Sequence, residues 1–264
     1  MYEPELAFAN QLADRAAEIA MSFFGGAFEV RIKPDATPVT EADLAVEAMV
    51  RERIAAQFPD DAFLGEEHGR DGAGPRTWVV DPIDGTKNFA AGIQIWGTLI
   101  ALMVEERPVV GVVGLPAMGE RYEAATGLGA RLNGSPIHVS DVARVQDAFV
   151  LFGTLSWDDR RSEASFLSLA HEAARTRAFG DCWAHMLVAR GAAEAMIEED
   201  LRTWDWAAPL VVIEEAGGRV TQLDGSLPAD RSSVLSTNQR LHAQIVELLR
   251  SQPSPGGSGD EAPG

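Results

Sequence analysis

The residue pattern predicts an α+β chain whose second half turns to α/β layering. Two amphipathic helical stretches open the chain. A run of long β signals joined by tight turns follows. Helical and strand signals then alternate as far as residue 251.

Taken in order, Leu6, Ala9, Leu12, Ala16, Ile19 and Phe23 recur at three- and four-residue spacing, which predicts a helix over residues 4–24 closed by Gly25-Gly26. Residues 29–33 read as a short strand and 34–38 as a turn. Thr40-Glu41-Ala42-Asp43 resembles a capping box with Asp in place of the usual Glu. The helix it opens should reach Gln57 and bury Leu44, Met49, Ile54 and Ala55, with Asp43 and Glu47 four apart on one face. Ala62-Phe63-Leu64 is a short strand leading to Gly65-Glu66-Glu67, and 68–75 is a polar loop. Trp78-Val79-Val80 is a core strand that Pro82, with no N–H to donate, should stop at Asp81. Further β signals cover 95–104, 108–115 and 121–125, with a turn and short strand over 127–134.

The second half predicts a strand at 148–152, a helix at 162–175, a strand or turn at 177–181 and a helix at 182–192. A strand at 193–198 and a helix at 203–216, closed by Gly217-Gly218, come next. Strands at 219–223 and 233–236 and a helix at 239–251 complete the pattern. The division expected is an N-terminal region over 1–140, a C-terminal region over 141–251 and a Pro-, Gly- and Ser-rich disordered tail over 252–264.

Composition narrows the function. A formal net charge of −18 argues against nucleic-acid binding, which needs basic surface. The single cysteine, Cys182, rules out an internal disulfide framework and a multi-cysteine zinc site. No apolar run approaches the roughly 20 residues of a membrane span, and no basic-then-apolar leader opens the sequence, so a cytoplasmic protein is expected.

The informative residues are carboxylates at the ends of elements: Asp43, Glu66, Glu67, Asp81, Asp84 and Asp205. Each has an ordinary structural reading. Asp81 and Asp84 suit a turn. Asp43 suits a helix start, and Asp205 is a first-turn acid behind an N-cap at Thr203. Together they need cations if they converge, because packed like charges are costly. Hard oxygen donors suit magnesium, and two or three ions about 3.5–4 Å apart would resolve the repulsion.

Gly65-Glu66-Glu67, the run from Trp78 to Phe89 with its Asp81-Pro82-Ile83-Asp84-Gly85-Thr86 core, and Trp204-Asp205 followed by Glu214-Glu215-Ala216-Gly217-Gly218 resemble the inositol monophosphatase-like superfamily. The likeness runs from the first helix to about residue 250. It implies a layered α-β-α-β-α sandwich, a Mg²⁺-dependent phosphomonoesterase (Mn²⁺ a possible substitute) and a homodimer. By position, Glu66, Asp81 and the carbonyl of Ile83 would hold one ion, and Asp81, Asp84 and Asp205 a second. Glu66 would also reach a third. Thr86 and Glu66 would orient and deprotonate the attacking water, Asp43 would hydrogen-bond near Thr86, and Lys33 lies in a matching loop. The N–H groups of Gly85 and Thr86 would hold the phosphate. Cys182 is left to packing.

The stretch from Arg177 to His185 aligns with the family loop that touches the rest of the substrate, and Glu198 with a residue contacting its hydroxyls. The Gly180-Asp181-Cys182-Trp183 pattern looks like the histidinol-phosphate phosphatase branch. Acidic groups at Asp181 and Glu198 would stabilise an ammonium and a cationic imidazole, and Trp183 could offer a ring face. His185 closes the same stretch. A structural reading also stands, with Asp181 as the cap of the helix starting at Cys182. Inositol 1-phosphate or another polyol phosphate is the alternative substrate. A non-catalytic metal-binding regulatory homologue is the alternative class, and it would predict loss of Glu66 or Thr86.

Overall fold

Parallel pairing places the first two acidic turns side by side. The strands Ala62–Gly65 and Arg76–Asp84 run in the same direction with Ala62 opposite Thr77 and Gly65 opposite Val80, and Glu66 N–H donates to Val80 O at 3.2 Å. Glu66 and Asp81 therefore leave the same edge of one sheet. The computed structural model describes residues 1–26, 30–32, 38–154 and 160–250. Lys33, the expected turn as far as residue 37 and the tail at 252–264 lie outside the described residues.

The elements in chain order are α1 (Glu3–Phe23), β1 (Val30–Ile32), β2 (Pro38–Thr40), α2 (Glu41–Gln57), β3 (Ala62–Gly65), β4 (Gly69–Asp71), β5 (Arg76–Asp84), α3 (Thr86–Ala90), β6 (Gly97–Val104), β7 (Arg107–Leu115), β8 (Glu120–Ala125), β9 (Ala130–Leu132), β10 (Ser135–Pro136), β11 (Phe149–Phe152), α4 (Arg160–Glu172), β12 (Arg175–Arg177), α5 (Asp181–Ala189), β13 (Ala195–Leu201), α6 (Thr203–Glu215), β14 (Arg219–Thr221), β15 (Ser232–Thr237) and α7 (His242–Arg250). An eight-stranded sheet has the order β10-β9-β8-β7-β6-β5-β3-β4, and a five-stranded sheet the order β12-β11-β13-β15-β14.

Five layers result. α1 and α2 cover the outer face of the larger sheet, where Leu12, Val46, Trp78 and Ile100 share one core. α5 and α6 fill the space between the sheets, with Val79, Leu99, Met186 and Val212 in a second core. α4 and α7 pack on the far side of the smaller sheet around Phe166, Leu235 and Ile245. Trp206 to Ile213 of α6 are all buried, as a helix between two sheets must be. No helix among the described residues is long and apolar enough to cross a membrane.

Four local expectations change. The loop at 68–75 contains β4, antiparallel to β3. Pro82 interrupts the β5–β6 pairing without ending the strand, and the ladder resumes at Asp84 opposite Gly97. The segment Arg175–Arg177 leaves the predicted helix to pair with β11. In α2 the inward face carries Asp43, Val46, Glu47, Val50 and Ile54, while Leu44 is 37% exposed and Ala55 exposed, because the two acids rather than Leu44 face the sheet. Leu44→Ala should therefore change stability by less than about 0.5 kcal/mol. Val46→Ala should cost on the order of 1–3 kcal/mol in urea unfolding. Equal losses would place the wrong face inward.

Candidate active site

Residues three apart on a regular strand point to opposite faces. Asp81 and Asp84 are three apart, yet both carboxylates enter one cleft. The pairing irregularity at Pro82 accounts for this, since a bulge re-aims the side chains beyond it. Thr98 Oγ1 donates to Pro82 O at 2.8 Å and fixes the irregular segment. Asp205 arrives from the first turn of α6. The cap there is Arg202 rather than Thr203, and its N–H donates to Asp205 Oδ2 at 2.7 Å. Asp81, Asp84 and Asp205 each present an oxygen within 4.8 Å of the others. These three, with Glu66, Ile83, Gly85 and Thr86, line a cleft of ≈ 630 Å³.

The electrostatics follow from burial. Desolvation, then the charge of Glu66, then those of Asp84 and Asp205, push the Asp81 carboxyl well above its usual range. Desolvation leads again for Asp84 and Asp205, each raised to about 7. Asp43, 0% exposed behind the cleft, rises to about 6 through desolvation, although Thr40 N–H and Oγ1 both donate to its Oδ2. A group of carboxylates raised together is in deficit of positive charge. Asp81 Oδ1 is buried with no hydrogen-bond partner among the described residues. All the donors are hard oxygens. The residues present fit a divalent cation of the magnesium type.

Gly85 precedes α3 at φ +81°, and a Cβ there would lie 3.0 Å from Ile95 O, so only glycine fits. Gly85, Thr86, Lys87 and Asn88 line the cleft, and the first N–H groups of a helix have no acceptors inside it. Thr86 Oγ1 donates to Ile83 O at 2.9 Å.

Asp181 lines the cleft beside Gly85, where a Cβ on the glycine would lie 3.4 Å from Asp181 Oδ2. It opens α5 in the left-handed region at φ +53°, with Gly180 as the cap, so it does not cap the helix itself. The cap bond comes from elsewhere: Cys182 N–H donates to Asp84 Oδ2 at 2.6 Å. Asp181 Oδ2 accepts from Asn88 Nδ2 at 2.8 Å, and Asp181 N–H reaches Glu198 Oε1 at 3.4 Å. Desolvation, then Asp84, then Glu198 raise the Asp181 carboxyl to about 8. Two expected members of the substrate loop do not line the cleft. Trp183 packs on Phe179 with ring centroids 5.1 Å apart. His185 is 2% exposed, with Nδ1 2.7 Å from Ser236 Oγ and Nε2 3.4 Å from Glu198 Oε2. His185 is buried between the sheets, and Trp183 is half-buried against Phe179 on another side of the helix.

Thr154, Arg202 and Arg231 also line the cleft, and the sequence pattern singles out none of them. Arg202 adjoins the Trp204-Asp205 motif, which is a usable signal. Arg231 lies in a polar loop that no periodicity marks; it pairs with Asp200 at 2.7 Å.

The model of the Inositol monophosphatase family matches residues 1–254. A histidinol-phosphatase of Streptomyces coelicolor is 41% identical, covering 94% of this chain and 97% of that one. A histidinol-phosphatase of Mycobacterium tuberculosis is 43% identical, covering 94% and 99%. A solved inositol monophosphatase from Zymomonas mobilis superposes with a TM-score of 0.86 at 29% identity, covering 95% of this chain and 99% of its own.

The raised carboxyls set a pH dependence. Asp84 and Asp205 move from an ordinary value of 3.8 to about 7, so the folded protein holds more protons than the unfolded chain between those values. Their contribution is fully present below the lower value and is lost as pH rises through about 7. In chelator, the melting temperature should fall from about pH 5.5 to about pH 8, by roughly 2–4 °C for each kcal/mol lost. Added Mg²⁺ should restore more at the higher pH. An equal Mg²⁺ effect at both would count against a cation among these carboxylates.

Proposed function

The chain belongs to the inositol monophosphatase family, and on that premise we propose that it hydrolyses histidinol phosphate to histidinol and inorganic phosphate. The reaction class is phosphoric monoester hydrolysis, as in the relatives it matches over most of their length. The observation that carries the proposal is the convergence of Asp81, Asp84 and Asp205, with an unpartnered buried oxygen on Asp81.

Glu66, Asp81, Asp84, Asp205 and the carbonyl of Ile83 would hold two to three Mg²⁺ ions, with Mn²⁺ able to replace them. Bound there, divalent cations supply Lewis acidity to the phosphoryl oxygens and lower the pKa of water. The chain's own groups do the rest. The N–H groups of Gly85 and Thr86 hold phosphate oxygens. Thr86 Oγ1 gives its hydrogen to Ile83 O, so its lone pairs are available to orient a water. Glu66 takes that water's proton as the oxygen attacks phosphorus, the ester P–O bond breaks, and the leaving oxygen takes a proton from solvent to depart as the alcohol. Asp43 Oδ2 accepts from Thr40 and its Oδ1 has no hydrogen-bond partner among the described residues, so the expected bond toward Thr86 is not formed here. Lys87, Arg202 and Arg231 on the cleft wall offset part of the acidic field that a phosphate dianion meets.

Substrate choice is assigned to Asp181, which lines the cleft, and to Glu198, which does not but meets the Asp181 N–H: their carboxylates would stabilise a cationic leaving group, and a charged partner would restore ionisation to an Asp181 carboxyl that burial has raised. The two histidinol-phosphatase relatives support the same reading. A second reading, inositol 1-phosphate, is favoured by the Zymomonas neighbour, and the same acceptors could bind hydroxyls.

Phosphate release measured in parallel should give a kcat/KM for histidinol phosphate at least about 10-fold above that for inositol 1-phosphate, the worth of one charge-assisted hydrogen bond. Equal or inverted values would sink the histidinol assignment. Asp181→Asn keeps an acceptor for Asn88 and tolerates the left-handed backbone. It should lower kcat/KM for histidinol phosphate about 10-fold more than for the neutral ester. Equal losses would remove Asp181 from the substrate site. Asp84→Asn can still accept from Cys182 N–H, so the fold should persist while turnover drops at least about 100-fold. Retained turnover would mean the ligand assignment is wrong.

A further inference from the structure

The inward face of α2 carries a second acid that the reading above leaves unused. Glu47 lies one turn beyond Asp43 and is 0% exposed. Its Oε2 accepts Glu67 N–H at 2.8 Å. Its Oε1 accepts His68 N–H at 2.8 Å and lies 2.6 Å from His68 Nδ1. On the other flank, a Cβ at Gly65 would sit 2.5 Å from the Glu47 carboxyl carbon, so the carboxylate occupies the space a side chain there would need. The residue between these flanks is Glu66.

A buried carboxylate is costly, and an apolar side chain could fill the same volume more cheaply. What an apolar residue cannot do is accept two consecutive backbone N–H groups. Those bonds fix the path of the chain at Glu67 and His68, the close approach fixes it at Gly65, and Glu66 N–H is already committed to Val80 O. We propose that Glu47 is a positioning residue for cation binding: it clamps the Gly65–His68 turn so that the Glu66 carboxylate meets Asp81 at the sheet edge. The proposal rests on the reading of Glu66 as a cation ligand.

The test is a Mg²⁺ titration of the full chain, followed by calorimetry and by tryptophan fluorescence, since Trp204 lines the cleft. Glu47→Gln keeps the shape but turns an NH₂ group toward one of the donors. Its Mg²⁺ dissociation constant should rise about 10–100-fold, the usual cost of losing an outer-sphere partner. The Mg²⁺ concentration for half-maximal rate should rise in step, with a smaller loss of kcat at saturation. A folded Glu47→Gln with wild-type Mg²⁺ affinity overturns the proposal, as does a loss of kcat with that affinity unchanged. If Glu47→Gln does not fold, Glu47→Asp replaces it, keeping both acceptors but withdrawing them by one methylene. Weakened Mg²⁺ binding then supports the proposal and unchanged binding overturns it. Glu66→Gln is titrated alongside. Wild-type affinity in Glu66→Gln would sink the ligand reading itself, whereas lost affinity there with retained affinity in Glu47→Gln would sink the positioning role alone.

Discussion

The structure depends on holding like charges against one another where burial strips much of their hydration. The chain meets this in one repeated way: a carboxylate commits one oxygen to a backbone N–H and turns the other toward the cleft. Asp84 takes Cys182 N–H, and Asp205 takes Arg202 N–H. Both donors sit at helix starts, of α5 and α6, where unsatisfied N–H groups and the helix dipole favour an anion. Asp81 has no such helix. It is 2% exposed, its Oδ1 is unpartnered, and burial with the charges of Glu66, Asp84 and Asp205 pushes its carboxyl well above the ordinary range. Among the described residues Asp81 therefore has no backbone donor to offset the charges around it, an offset that a cation would supply.

The layering serves this arrangement. α5 and α6 lie between two sheets, so their apolar surfaces are buried on both sides and their first turns are fixed in direction. β3 and β5 end at the same sheet edge because they are parallel neighbours, a pairing that sequential hairpins cannot make. Five layers thus deliver strand ends from one side and helix starts from the other. Glu215, part of the motif quoted for the resemblance, belongs to this scaffold. It accepts Gly127 and Gly129 N–H at 2.9 and 2.8 Å, far from the acidic cluster, and ties the β8–β9 turn to α6.

The helices and strands are legible in the sequence because their apolar spacing is strong, and the acidic turns because Gly, Pro and Asp fall at element ends. What stays hidden comes from long-range geometry. Pro82 reads as a strand stop, since nothing local says that the ladder with β6 resumes two residues later. Leu44 reads as core on the premise that a helix buries its apolar residues, whereas the acids at Asp43 and Glu47 face inward. His185 and Trp183 read as substrate contacts from the resemblance, but on α5 neither lines the cleft: His185 is buried against Ser236 and Trp183 packs on Phe179. Arg231 reaches the cleft by a turn whose spacing has no signature.

Two parts of the cleft wall are not independent. One comes from a continuous stretch, β5 to α3, and the other from the start of α5 and the end of β13. Two hydrogen bonds tie them: Cys182 N–H to Asp84, and Asn88 Nδ2 to Asp181. Asn88 also donates to Ile95 O at 2.8 Å, anchoring the link on the segment that leads into β6. A change that shifts the first turn of α5 therefore moves Asp84 together with Asp181. Within this fold, the Asp181 side chain can be replaced without removing the N–H that holds Asp84, but the backbone at Gly180 and Asp181 cannot be rebuilt so freely, because the same turn supplies that N–H.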